Sequence, residues 1–208
     1  MSEQNPNLTQ LIGEQKKQSL ADPSLVNYYN DLEHRIYWLN DEINQFTFDL
    51  VQYIIRWNRE DKDLAKEERK PIRIIIDCHG GQLSVTKTLV NIIKMSKTPI
   101  HVFALGFVAS GASMVYLAGH KKYALPNTTF LLHKGSCGGL SGTFDELIAF
   151  MEDYQKDVLE LIDFYKENTK FSPEEIEEKI QGEWYVRIDE AVKYGLVDEI
   201  VTDIDLFC

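Results

Sequence analysis

The chain contains no apolar run approaching the roughly 18 residues a membrane-crossing helix needs, although 44% of its 208 residues are hydrophobic. Cysteine is scarce: Cys78, Cys137 and Cys208 stand in no metal-ligating spacing and cannot all pair. No disulfide framework or zinc module is therefore encoded, and a reducing, cytoplasmic setting is expected. Basic residues are outnumbered, giving a net charge of −11. This balance argues against nucleic acid or an anionic membrane as the main partner, while leaving room for a local basic patch. The opening MSEQNPNLTQ has neither the basic segment of a signal peptide nor the Arg-rich amphipathicity of a transit peptide. No fixed-period repeat and no low-complexity tract occurs, and no metal or cofactor is expected.

What is present suits one domain with a sizeable core. Residues 1–24 are polar and contain Pro6 and Pro23, which reads as a mobile arm before a single domain over 25–208. HRIYWLN (34–40) alternates like a strand, and Ile43, Phe46, Leu50, Tyr53, Ile54 and Trp57 then recur at helical spacing. NREDKDLAKEERK (58–70) is a solvated, charged connection. PIRIIID (71–77), IHVFAL (100–105) and TTFLLH (128–133) are short β-branched or apolar runs separated by helical patterns, with a last strand near the end. Strands alternating with helices give an α/β fold with a parallel core. Sites in such cores gather beyond the carboxyl ends of strands, here the loops at 78–82 and 106–110 and the strand end at His133. From Thr143 to Thr169 an apolar seam runs at spacings of three and four. A helix of that length spans roughly 40 Å, more than one small domain needs, so its seam is expected to meet another subunit.

GFVASGASMVYLAGH (106–120) is a small, apolar run holding two serines, Ser110 and Ser113. A serine there can pack with its hydroxyl bonded to a carbonyl one turn earlier, or act as a sheltered nucleophile. A nucleophile needs a base, an orienting acid and donors for the developing oxyanion. Ser110 lies at a strand-to-helix turn with the Gly111 amide beside it, and His133 ends a nearby strand. The pair Gly80–Gly81 offers unobstructed amides. Asp189, Glu183 and Asp198 are candidate acids. No G-x-S-x-G elbow occurs. Ser113, His34, His101 and His120 read as structural, and Asp77 as a capping or loop-orienting residue.

Three segments in order, GFVASGASMVYLAG, KYALPNTTFLLHKGSCGGLSG and WYVRIDEAVKYGLVDEIV, resemble the proteolytic subunit of the Clp protease family. The resemblance runs from about residue 25 to 202. It implies a crotonase-like spiral of βαβ units with a projecting handle helix at about 143–169. It further implies a serine endopeptidase working through an acyl-enzyme inside stacked, heptameric rings, on unfolded polypeptide supplied by a partner AAA+ ATPase. By position, Ser110 resembles the nucleophile and His133 the base. Glu183 stands where the family has an aspartate, and Gly80, Gly81 and Gly111 resemble the oxyanion site. Gly135, Ser136, Cys137, Gly138 and Gly139 resemble the glycine-rich strand on which extended substrate adds.

The departures carry expectations of their own. Glu183 is one methylene longer than aspartate, which implies reduced or retuned activity. His79 replaces a proline and Lys134–Gly135 a Gln-Pro pair, altering the cleft beside the base. The first 25 residues do not resemble the family's axial loop. Two other readings are a catalytically silent subunit of a mixed ring and a crotonase-type acyl-CoA enzyme, which shares the fold but needs no Ser-His pair.

Overall fold

A computed structural model describes residues 22–207. The first element, α1 (Pro23–Glu33), is a unit of its own; the Asp22 carboxylate accepts the Ser24 N–H, and Pro23 fixes the first turn. Of the arm expected over 1–24, residues 1–21 lie outside the described residues, while Pro23 and Ser24 already belong to α1.

From Arg35 onward the chain forms one α/β unit around a seven-stranded sheet. Its strands are β1 (Ile36–Leu39), β2 (Ile72–Cys78), β3 (Ile100–Ala109), β4 (Lys121–Ala124), β5 (Thr129–Leu132), β6 (Trp184–Arg187) and β7 (Glu199–Ile200). Strands β1-β2-β3-β4-β7 lie side by side in parallel. Strand β5 joins the far end of β3 in parallel, and β6 closes on β5 antiparallel. Burial on both faces explains the unbroken apolar runs: Ile72, Ile74, Ile75 and Ile76 of β2 and all four residues of β5 are buried. The helices are α2 (Phe48–Glu60), α3 (Leu83–Met95), α4 (Gly111–Leu117), α5 (Phe144–Asn168), α6 (Pro173–Lys179) and α7 (Ile188–Lys193). Among the described residues, no helix is long and apolar enough to cross a membrane.

Several boundaries differ from the sequence expectation. The helical spacing read from Ile43 becomes an α-helix only at Phe48, behind a 3-10 turn over Gln45–Thr47. Ile43 is held instead as a bridge to Gly81, and Asn44 and Thr47 cap each other. The strand read as 100–105 continues through Gly106 to Ala109. Its first half pairs with β4 and its second half with β5, so the chain changes neighbours without stopping. Strands β4 and β6 were not legible as strands, being four residues long and half polar.

Helix α5 begins at a Thr143–Glu146 capping box and is 25 residues long, close to the expected 143–169. Its two halves differ. Leu161, Ile162, Phe164 and Tyr165 are buried, whereas Phe144, Ile148 and Met151 are 76%, 46% and 48% exposed. The second half belongs to the core, and the first half presents its apolar seam outward.

Candidate active site

Strand register brings three distant residues together. Parallel pairing of Ala109 with Leu131 carries Ser110 just past β3 and His133 just past β5. The Ser110 N–H donates to the Leu131 carbonyl at 2.9 Å, extending that ladder by one bond. Antiparallel pairing of Leu132 with Trp184 then sets Glu183 beside His133 on the next strand over. Arg187 pins the other end of this pair by donating to Thr129 Oγ1 at 2.8 Å.

The turn at Ser110 is strained. Its φ of 55° and ψ of −127° make it one of two non-glycine residues with positive φ among those described. Such a conformation costs about 1–3 kcal/mol and persists only where its surroundings hold it. Two hydrogen bonds to the Ser110 carbonyl do so: the Ser113 N–H at 3.0 Å and the Ser113 hydroxyl at 2.6 Å. Ser113 is fully buried, and the Tyr165 hydroxyl donates to its oxygen at 3.1 Å. Complete burial pushes the Tyr165 phenol up to about 12. Ser113 is thus a packing residue, as its sequence context suggested, and also a clamp on the strained turn.

His133 Nε2 lies 2.7 Å from Ser110 Oγ. Burial lowers the His133 pKa below its ordinary value, against the opposing pull of the Glu183 charge. A neutral ring with Nδ1 protonated accepts the Ser110 hydroxyl at Nε2, the geometry a general base requires. Glu183 does not complete the chain. Its carboxylate is exposed and accepts the Tyr185 hydroxyl at 2.8 Å, and no hydrogen bond joins it to His133 among the described residues. Of the other candidate acids, Asp198 accepts the Lys122 N–H and pairs with its ammonium, while Asp189 is exposed in the first turn of α7. Neither bonds to His133.

The glycine pair lies directly against the turn. A β-carbon on Gly80, at φ +98°, would sit 2.8 Å from the Ala109 oxygen, the Gly111 nitrogen and Ser110 Cβ alike. A β-carbon on Gly81 would meet the Ile43 oxygen at 2.1 Å. The Gly80 N–H is directed to Cys78 Sγ at 3.3 Å, and that thiol donates to the Asp41 carbonyl at 2.9 Å. The N–H of Gly81 has no partner among the described residues, and that of Gly111 opens α4. Of the glycine pair, the Gly80 amide is therefore engaged and the Gly81 amide is not. Burial raises the Cys78 thiol, which suits an anchor and not a nucleophile.

The rest of the cleft is open. Residues 133–140, including Gly135, Ser136, Cys137, Gly138 and Gly139, lie outside the sheet. Among the described residues no strand pairs with this segment, and it is not itself in strand form. Lys134 donates to Gln181 at 2.8 Å, and Tyr154 reaches the Lys134 carbonyl at 3.4 Å. His79 is exposed beside Phe107, and Asp77 accepts the Phe107 N–H at 2.8 Å, orienting the chain before the turn. His120 accepts the Ile100 N–H and His34 lies on the Asn30 carbonyl, both local structural contacts. Sequence reasoning missed Tyr185, Tyr165 and Cys78 as supporting residues. Only Tyr185 had a legible signal, since it stands two residues from Glu183 and shares its strand face.

A family model described as Clp protease matches residues 22–203. The ATP-dependent Clp protease proteolytic subunit of Deinococcus radiodurans is 27% identical over 143 residues, 66% of this chain and 68% of that protein. The ATP-dependent Clp protease proteolytic subunit 2 of Pseudomonas aeruginosa is 29% identical over 140 residues, 66% and 69% of the two chains. The solved structure of a ClpP1 mutant from Listeria monocytogenes has the same fold. It matches with a TM-score of 0.72 at 24% identity, covering 86% of this chain and 98% of that one.

Proposed function

This chain belongs to the Clp protease family, whose members are serine-type peptidases, and from that premise we propose that it cleaves polypeptide through an acyl-enzyme on Ser110. The observation that carries the proposal is the 2.7 Å contact between Ser110 Oγ and His133 Nε2 at a strained strand-to-helix turn. His133 takes the hydroxyl proton as Ser110 attacks the scissile carbonyl. The N–H groups of Gly81 and Gly111 receive the oxyanion, and His133 returns the proton to the leaving amine. Water activated by the same ring then releases the acyl group.

Glu183 supports the imidazolium through its charge, and more strongly once its carboxylate leaves Tyr185 for His133 Nδ1. Gly135–Gly139 would hold extended substrate as an added strand, the partner that this edge lacks among the described residues. The exposed seam of α5 fits a contact between rings, which would enclose the site in a chamber. A Clp ATPase feeding unfolded chains into that chamber is part of the same reading.

Intact mass after fluorophosphonate treatment, on the wild type and Ser110→Ala side by side, tests the proposal. A single adduct on the wild type alone is expected. No adduct on either, from assembled protein, would make this chain a silent structural subunit.

A further inference from the structure

Strand register sorts the residues below the catalytic pair onto two faces of the sheet. Phe107, Thr129 and Arg187 stand in one row across β3, β5 and β6, and Ala109, Leu131 and Tyr185 stand in the next. The residues that alternate with them, Val108, Phe130, Leu132, Trp184 and Val186, are buried in the core, so the two rows form the outer face. His133 follows Leu132 and shares that outer face, at the head of β5. Two rings border β5 there. The Phe107 N–H donates to Asp77 at 2.8 Å, and its ring packs 5.1 Å from the exposed His79 ring, centroid to centroid. On the other side Tyr185 is 51% exposed and is held by its 2.8 Å bond to Glu183. Arg187, donating across the face to Thr129 Oγ1 at 2.8 Å, bounds the end far from His133.

Strands two apart lie about 10 Å from one another, and a shift of one pair of residues adds about 7 Å along the strand, so the Phe107 and Tyr185 positions are roughly 12 Å apart. A flat ring laid midway, over Leu131, would stand roughly 6 Å from each, within the 4.5–7 Å at which aromatic pairs attract. A methyl group in the same place would reach neither ring. We propose that Phe107, backed by His79, and Tyr185 form a subsite that selects an aromatic side chain on the first residue of the leaving half of the substrate. The proposal rests on Ser110 and His133 working as described above. His133 returns its proton to the leaving amine, so that half of the substrate departs on the His133 side of the bond, over the face that His133 shares with Leu131. Both rings are fixed before substrate arrives, so little ordering is needed on binding.

The test uses the full-length assembled protein and quenched fluorescent peptides that differ only in the residue after the cleaved bond, Phe or Ala, with the bond located by mass spectrometry. A kcat/KM about tenfold higher for the Phe peptide is expected, from two ring contacts. Phe107→Ala should lower that ratio to about threefold by removing one of them. Phe107→Tyr and Tyr185→Phe keep both rings and should keep the preference, whatever else they change. Fluorophosphonate acylation of Ser110, whose leaving group is fluoride and carries no side chain, is read on the same samples. Absence of acylation in the wild type would sink the Ser110 reading itself. Normal acylation with equal kcat/KM for the two peptides, or a ratio unmoved by Phe107→Ala, would overturn the subsite alone. A preferred ring mapped to the acyl side of the bond would overturn it as well.

Discussion

Replacing Gly80 with alanine tests the arrangement of the site through a single methyl group. The new β-carbon would stand 2.8 Å from the Ala109 carbonyl oxygen, the Gly111 nitrogen and Ser110 Cβ, where carbon contacts normally settle at about 3.5–4.0 Å. All three neighbours are backbone or the proposed nucleophile, so none can swing aside as a long side chain would. A positive φ of +98° adds backbone strain for any residue with a β-carbon, about 1–3 kcal/mol, and overpacking adds about 1–3 kcal/mol more. The loop 79–82 can relieve this only by retreating from the turn. That movement carries the Gly81 N–H away from the oxyanion position, and losing one such donor costs about 10²–10³ in rate. The assay is the rate of fluorophosphonate acylation by intact mass, run beside a thermal melt and native mass to confirm assembly. An acylation rate within threefold of wild type would refute the placement of the glycine pair against the nucleophile.

Five further outcomes follow from the structure. Because burial holds the His133 pKa below its ordinary 6.5 or so, the acid limb of acylation should have its midpoint below that value. Glu183→Gln removes the influence that raises it, so the midpoint should move lower still; an upward move would contradict the electrostatics. The same shift makes His133 bind fewer protons folded than unfolded, so its stabilisation is present above about pH 6.5 and lost as pH falls through the folded pKa; wild type and His133→Gln melted across pH 5–8 should converge at the acid end. Tyr185→Phe frees the Glu183 carboxylate from its 2.8 Å bond and should shift the acid limb upward, while an unmoved limb would mean that Tyr185 does not hold the acid away. Ser113→Ala leaves the buried Tyr165 hydroxyl without its acceptor and should cost about 1–3 kcal/mol of stability, a loss that Tyr165→Phe in the same chain should partly restore. Met151→Glu on the exposed seam of α5 should lower the native mass without unfolding the subunit, and an unchanged mass would place the ring contact elsewhere.

The sequence by itself determined the α/β class, because long apolar strand runs such as IRIII and helical periodicities are local properties of the chain. It also determined the extent of the long helix, through the Thr143 cap and the unbroken seam, and it marked Ser110, His133 and the glycine pair by motif. Tertiary structure decided what those residues do for one another. The strained turn at Ser110 needs its carbonyl clamped by Ser113 and Tyr165, and the latter lies 52 residues further along. The path of β3 beyond Gly106 depends on β5 becoming its neighbour. The place of Glu183 depends on β6, a four-residue strand whose antiparallel pairing with β5 has no local signature. Whether that carboxylate serves His133 or Tyr185 is a choice between a neighbour on the adjoining strand and one two residues along its own. A one-dimensional pattern places residues at strand ends, but the competition for a hydrogen bond is settled only by side chains in space.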